Sequence, residues 1–205
     1  MKLHWSPRSP FVRKVMIVAH ELGLDRPYHL RAHRWRRPPD PHAPLMAENP
    51  LSKIPTLVLD DGTVLYDLAG HLRISGSACT QGAKLVPADG KERMTALRRQ
   101  ALGDGFLDFL LLLRNERERA HPSDGPRRDL RYQEAGRARV ARQRGSGDLA
   151  ASAFTIGHIA IGCALSYLDF RFARRGLARA ATPASRAGIA DFCATPLGAR
   201  HGVGR

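Results

Sequence analysis

A hairpin pattern between residues 49 and 67 limits the folds open to this chain more than any other feature. It reads Asn-Pro-Leu-Ser-Lys-Ile-Pro-Thr-Leu-Val-Leu-Asp-Asp-Gly-Thr-Val-Leu-Tyr-Asp, with short apolar runs on either side of an Asp-Gly pair. Such a pair predicts a two-residue turn between antiparallel strands, here 55–59 and 63–66. Pro55 cannot donate a hydrogen bond to a sheet, so it marks the start or edge of a strand and is a candidate for a cis bond.

The residues before the hairpin predict a strand, a helix and a second strand. Residues 2–5 form the first strand. Ser9 stands at the N-cap of the helix and Pro10 at its first position. Its apolar residues recur at helical spacing as far as a stop at Gly23. A strand at 27–30 and a proline-rich loop at 33–48 complete the order β-α-β-loop-β-β.

The second half of the chain reads as helical. A long amphipathic helix is predicted over 89–119, with Gly103 and Gly105 as weak points, and a strongly apolar helix over 153–172. The intervening 121–150 is polar and aperiodic. With a linker near 78–87, this layout predicts a small α/β domain followed by an all-helical one.

Several classes of protein are disfavoured by composition. No apolar run reaches the length of a membrane span, and the first residues do not resemble a secretory signal. Cys79, Cys163 and Cys193 are odd in number and form no Cys-x-x-Cys pair, so neither a disulfide framework nor a zinc site is indicated. We therefore expect a cytoplasmic protein without a metal site.

The net charge of +14 raises the alternative of a basic nucleic-acid-binding protein. Arginine supplies 28 of the 33 basic residues, concentrated in stretches such as 34–37 and 137–144. No zinc finger, RNP aromatic pattern or KH-type loop accompanies them. The sequence therefore argues against nucleic acid as the partner.

The segment Ser-Pro-Arg-Ser-Pro-Phe-Val-Arg-Lys at 6–14, together with the hairpin, resembles the glutathione-binding half of glutathione S-transferases. Residues 97–117 and 154–172 resemble the helical half of the same family. The resemblance implies a thioredoxin-like α/β N-terminal domain over 1–78, followed by an all-α helical bundle domain over 88–205.

The resemblance also implies a glutathione site. Ser9 would stabilise the thiolate, with a plain N-cap as its alternative role. Ile54 would pair its backbone with the cysteinyl residue of glutathione, and Pro55 would hold that strand in place. Lys53 would bind the glycyl carboxylate, or would alternatively be an ordinary solvated lysine. Asp67 would bind the γ-glutamyl end, or would alternatively cap a helix.

The implied function is transfer of the glutathione thiolate to small hydrophobic electrophiles, as a detoxifying homodimer with glutathione as co-substrate. The alternative within the family is a catalytically impaired glutathione-binding homologue, because Leu68 follows Asp67 where the family has a serine. His158 likewise replaces the aspartate of a Ser/Thr-x-x-Asp capping box begun by Thr155. We expect that replacement to lose the reciprocal bond to the cap, at about 1 kcal/mol.

Four stretches depart from the family pattern: 68–83, 134–147, 173–182 and 197–205. Codons for Leu-Ala-Gly-His-Leu-Arg-Ile-Ser at 68–75, read one nucleotide later, are compatible with Ser-Arg-Val-Ile-Cys-Glu-Tyr-Leu. That peptide restores the missing serine and the helix expected there. Because the other stretches permit similar readings, we hypothesise that paired frame shifts interrupt a transferase sequence and produce much of its arginine surplus.

Overall fold

The computed structural model describes residues 1–21, 29–32, 43–66, 85–118 and 153–172. The chain divides into two compact units, the first ending at Lys84 and the second beginning at Leu85. The domain bounds 1–78 and 88–205 stay predictions. The four stretches assigned to frame shifts, and the arginine-rich 34–37 and 137–144, lie outside the described residues.

The first unit contains a four-stranded sheet in the order β2-β1-β3-β4. Strands β1 and β2 are parallel, whereas β1–β3 and β3–β4 are antiparallel. Its elements in chain order are β1 (Lys2–Trp5), α1 (Pro10–Glu21), β2 (His29–Ala32), α2 (Ala43–Glu48), β3 (Thr56–Val58) and β4 (Val64–Tyr66). The predicted β-α-β unit and hairpin are therefore both present, with β2 placed two residues later than predicted.

Strand β1 lies at the centre of the sheet. Leu3 is opposite Leu30 on one side and Leu57 on the other. Leu3 and His4 point to opposite faces, and both are completely buried. Both faces of β1 are therefore shielded from water, as a central strand requires.

Helix α2 corrects the prediction of a continuous loop over 33–48. It has six residues, and Leu45 is its one buried residue. A single buried side chain produces no helical periodicity, and the neighbouring prolines favoured a loop reading. The local signal was the run Leu-Met-Ala-Glu after Pro44, since these residues are good helix formers and proline is tolerated in a first turn.

The hairpin loop has the three residues that the predicted strands 55–59 and 63–66 leave between them, and not the two residues of the predicted Asp-Gly turn. The amide of Leu59 donates to the carbonyl of Thr63 at 2.9 Å, which leaves three residues, 60–62, in the loop. Gly62 donates to the carbonyl of Leu59 and has φ of 85°. This is the pattern of a type I turn completed by a left-handed residue, a geometry that glycine adopts without steric cost.

The described part of the second unit consists mainly of two long helices, α3 (Gly90–Arg117) and α4 (Ile156–Phe172). Thirteen of the 17 residues of α4 are buried, spread around its whole circumference, so α4 is a core helix. Among the described residues, no helix combines the length and the apolar character that a membrane span needs.

Two glycines bring α3 and α4 into close contact. A β-carbon on Gly103 of α3 would lie 2.6 Å from the backbone of Ala160, and one on Gly157 of α4 would lie 2.5 Å from Arg99. Further along, Arg114 donates to the Tyr167 hydroxyl at 3.3 Å. Along the chain, residues 99, 103 and 114 of α3 meet residues 157, 160 and 167 of α4 in that order. The two helices therefore run in the same direction. Gly103 is thus a packing residue, whereas Gly105, around which the described residues leave open space, still fits the description of a weak point.

The start of α4 corrects the expectation that His158 loses the reciprocal capping bond. The backbone N–H of Thr155 donates to Nδ1 of His158 at 3.0 Å, and the Thr155 hydroxyl lies 3.1 Å from the same nitrogen. A backbone N–H can only donate, so Nδ1 accepts and carries no proton. The imidazole therefore takes the place of the carboxylate in the capping box.

Candidate functional site

Ser9 caps the N-terminus of α1. Its Oγ accepts a hydrogen bond from the amide of Val12 at 3.3 Å, and its carbonyl accepts one from Arg13 at 3.1 Å. The predicted N-cap is thus present, followed by Pro10. Because Oγ accepts this bond, the hydroxyl hydrogen stays available, and it has no acceptor among the described residues.

The N-terminus of α1 favours a negative charge. Its first turn contains no acidic residue, and the unpaired amides of a helix N-terminus carry a partial positive charge. An anionic ligand atom near Ser9 would therefore meet both a hydroxyl donor and the field of the helix.

Ile54 combines a buried side chain with free backbone groups. Its side chain is 9% exposed, and the bond to Pro55 is cis. Strand β3 begins only at Thr56, and neither the amide nor the carbonyl of Ile54 has a hydrogen-bond partner among the described residues. Such a residue can form main-chain hydrogen bonds with an extended peptide, in the manner of a short strand addition.

An apolar cluster places Ile54 beside the first turn of α1. Val12, Leu45 and Ile54 pack together, with Trp5 and Met16 against them. Val12 is also the residue whose amide bonds to Ser9. The structure therefore brings the predicted residues Ser9, Ile54 and Pro55 into one region of the first unit.

Of the two charged residues predicted to bind glutathione, Lys53 and Asp67, the structure describes only Lys53. Lys53 is exposed, and its ammonium group has no partner among the described residues, so it is open to an anion. Asp67 lies outside the described residues, and its role remains a prediction.

A charged cluster ties the end of α2 to β1. Glu48 accepts hydrogen bonds from Lys2 and from Nε2 of His4 through its two carboxylate oxygens. Burial alone would raise the pKa of Glu48, but the bonds and charges of Lys2 and His4 together outweigh it and lower that pKa. The cluster therefore fixes the residue that directly precedes Asn49.

The sequence did not reveal Asn49 and Thr56 as contributors to this region. Asn49 is 1% exposed and Thr56 is fully buried. The Asn49 amide donates to the carbonyl of Lys53 at 3.1 Å and to the Thr56 hydroxyl at 3.0 Å. The available signal was the Asn-Pro pair, which favours a turn but does not identify the bonding partners. Among the described residues, no cluster of potential metal ligands is present.

Comparisons with known proteins agree with this geometry. Residues 8–70 match the family described as the N-terminal domain of glutathione S-transferase. The GST-like protein YibF of Escherichia coli (strain K12), itself uncharacterized, is 30% identical over 179 residues, with 83% of each chain covered.

Solved structures agree over a larger part of the chain. A glutathione transferase family member from Pseudomonas fluorescens Pf-5, with bound glutathione, is 32% identical with a TM-score of 0.84, covering 98% of this chain and 97% of its own. A glutathione S-transferase of Methylobacillus flagellatus KT, also with glutathione bound, is 26% identical with a TM-score of 0.80 and 98% coverage of both chains.

The similarity to YibF extends over most of both chains and passes through both units. The solved structures bear out the predicted thioredoxin-like α/β domain followed by an all-helical domain. This chain therefore belongs to the glutathione S-transferase family.

Proposed function

We propose that this protein is a glutathione transferase that joins the glutathione thiolate to small hydrophobic electrophiles. The observation that carries the proposal is the position of Ser9. Its hydroxyl hydrogen has no acceptor among the described residues, and it lies at the N-terminus of a helix whose Val12 packs against Ile54. The backbone groups of Ile54 likewise have no partner in the described part of the chain. The glutathione bound in similar solved structures supports the same co-substrate here.

In this proposal the cysteinyl residue of glutathione pairs with the backbone of Ile54, which brings its sulfur towards Ser9. The Ser9 hydroxyl donates to the sulfur and the field of α1 favours its negative charge, so the thiol pKa falls. Each unit of that fall is worth about 1.4 kcal/mol. The thiolate then attacks an electrophilic carbon, a carbon–sulfur bond forms, and the displaced electron pair leaves with the departing group.

The remaining ligand contacts follow from charge. The exposed Lys53 ammonium would pair with the glycyl carboxylate, and Asp67 would pair with the γ-glutamyl amine. A cytoplasmic homodimer with a detoxifying role completes the proposal.

The test separates the chemical role of Ser9 from its role as a cap. Glycine is nearly as good an N-cap as serine, whereas alanine costs about 1 kcal/mol. Ser9→Gly should therefore keep the stability of α1 and still lose the donor to sulfur. We expect kcat/KM with an activated chloronitroarene to fall by about 10-fold or more in both Ser9→Gly and Ser9→Ala, and to be largely kept in Ser9→Thr. Unchanged turnover in Ser9→Gly would leave Ser9 as a helix cap only.

A glutathione-binding homologue without turnover is the second candidate. The observation favouring it is Leu68, which replaces the hydroxyl that the family offers to the γ-glutamyl carboxylate. Calorimetric titration with glutathione distinguishes the two candidates. Binding without turnover across several classes of electrophile supports the binding protein, and binding with turnover supports the enzyme.

A further inference from the structure

The side chain of Asn49 is a buried hydrogen-bonding centre at the start of the turn before β3. Its amide nitrogen donates to the Lys53 carbonyl at 3.1 Å and to the Thr56 hydroxyl at 3.0 Å. Its amide oxygen accepts from the backbone of Leu51 at 3.0 Å. Both donor hydrogens and one of the two acceptor positions are thus used, all within the eight residues from Asn49 to Thr56.

Two donors converge on the carbonyl of Lys53. Besides Asn49, the Thr56 hydroxyl donates to it at 2.8 Å. Asn49 and Thr56 are both buried, so the oxygen that they hold is directed towards the interior of the unit. Losing either donor leaves a buried carbonyl with fewer bonds, which is unfavourable.

This arrangement dictates the direction of the Ile54 amide. The carbonyl of Lys53 and the N–H of Ile54 belong to one planar peptide group, in which the two point in opposite directions when the bond is trans. The cis bond in this turn is the next one, between Ile54 and Pro55. With the Lys53 oxygen held inwards, the Ile54 N–H points outwards, where it has no partner among the described residues.

We propose that Asn49 and Thr56 are positioning residues that orient the Ile54 amide towards the backbone of glutathione. The inference rests on the proposed function, since it assigns to these two residues the alignment of a bond that glutathione would make. Neither residue touches the ligand in this scheme. Both act through the peptide group between Lys53 and Ile54.

The test uses paired substitutions in the full-length chain. Thr56→Val keeps the shape of the side chain and removes one of the two donors, whereas Thr56→Ser keeps the donor. Asn49→Ala removes all three hydrogen bonds of the Asn49 side chain and leaves Thr56 as the one remaining donor to the Lys53 carbonyl. We expect the Kd and KM for glutathione to rise about 3- to 10-fold in Thr56→Val and about 10-fold or more in Asn49→Ala. The Thr56→Ser protein should stay within about 2-fold of the wild type, and the KM for the electrophile should not change in any variant.

A core truncation supplies the control for plain loss of stability. Val18 is buried in α1, outside this network, so Val18→Ala should lower the unfolding temperature without changing the Kd for glutathione. If Asn49→Ala does not fold, the comparison of Thr56→Val with Thr56→Ser still tests whether the donor to Lys53 affects glutathione binding. The inference would be overturned if Thr56→Val bound glutathione with wild-type affinity, or if Thr56→Val and Val18→Ala lost equal affinity for glutathione. The proposed function would stand in either case. Absence of glutathione binding by the wild type would instead overturn both.

Discussion

Gly103 and Ala160 lie at the closest approach of α3 and α4. A β-carbon on Gly103 would stand 2.6 Å from the carbonyl carbon of Ala160 and 2.7 Å from the amide nitrogen of Ile161. Real β-carbons essentially never come so near to other heavy atoms. The neighbouring atoms belong to the backbone, so they cannot move aside by changing a rotamer. The missing side chain at residue 103 therefore sets the distance between the two helices.

Substitution of this glycine should destabilise the helical unit. Alanine is the better helix former by about 1 kcal/mol, but at Gly103 the backbone of α4 must move. We expect Gly103→Ala to lower the free energy of unfolding by about 1–3 kcal/mol. Gly105 lies in the same helix, and none of the described residues outside that helix's own backbone comes within 4 Å of a β-carbon built there. Gly105→Ala should therefore raise the free energy of unfolding by up to about 1 kcal/mol. Urea unfolding followed by far-ultraviolet circular dichroism measures both, and equal effects would contradict the close packing.

Ser52 adopts a backbone conformation that favours glycine. Its φ is 49°, the only positive value for a non-glycine residue in the described part of the chain. A β-branched residue is the least tolerant of this region. We expect Ser52→Val to lower the free energy of unfolding by about 1–2 kcal/mol, and Ser52→Gly to keep or slightly raise it. Differential scanning calorimetry measures the unfolding temperatures of the wild type and the two variants and so tests this order of stability. A Ser52→Val protein as stable as the wild type would contradict the left-handed assignment.

The Thr155–His158 pair stabilises the start of α4. The backbone N–H of Thr155 donates to Nδ1 of His158 at 3.0 Å, which completes the capping box at this end of the helix. We expect His158→Ala to lower the free energy of unfolding by about 1 kcal/mol, the usual cost of losing a capping bond.

His158→Asp provides the comparison for this effect. A carboxylate can accept the same bond and also favours a helix N-terminus. We expect the His158→Asp protein to be at least as stable as the wild type at pH 7, and the His158→Ala protein to be less stable than both. Urea midpoints followed by circular dichroism measure the differences. Equal stability of the wild type and His158→Ala would rule out His158 as the capping acceptor.

Local patterns predicted the elements whose signals are contained within a few residues. The hairpin, α1 with its Ser9 cap, and the two long helices all have periodicity or turn residues that can be read along the chain. The two-residue Asp-Gly turn was wrong because Asp-Asp-Gly fits a turn of either two or three residues, and the loop at 60–62 has three. Helix α2 was missed because it buries one side chain, Leu45.

The candidate site was predictable only where the family resemblance reached it. Ser9, Ile54 and Pro55 were predicted in that way, and their roles towards glutathione stay predictions. Asn49 and Thr56 act through hydrogen bonds whose geometry depends on the folded turn. Glu48 meets Lys2 and His4, which precede it by 46 and 44 residues. Spacing along the sequence contains no information about such pairs.

The frame-shift hypothesis makes a prediction about the gene. Resequencing of codons 66–84, 133–148 and 172–205 should show inserted or missing bases at the edges of the four departing stretches. The corrected reading should place serine directly after Asp67 and lower the net charge from +14. A protein from the corrected gene should then bind glutathione more tightly than the chain described above. An unchanged reading frame throughout would refute the hypothesis and identify a diverged homologue.

Glu48 should make the first unit sensitive to acid. Its pKa is lowered from an ordinary 4.5 by Lys2 and His4, against the opposing effect of burial. Because the folded-state pKa is the lower one, the stabilisation is present above about pH 4.5 and is lost as the pH falls through the folded-state value. The side chain of Glu48 is 25% exposed, so we expect about 1 kcal/mol or less.

Glu48→Gln should therefore lower stability at pH 7 and flatten the loss of stability between about pH 5 and 3. Trp5 lies in β1 of the first unit, and the other tryptophan of the sequence, Trp35, also precedes the start of the second unit at Leu85. Urea unfolding followed by tryptophan fluorescence therefore follows the first unit. Asp60 pairs with the N-terminal amine but is 86% exposed, and Asp60→Asn serves as the control with little expected change. If Glu48→Gln and Asp60→Asn give the same acid profile, the contacts with Lys2 and His4 do not stabilise the fold.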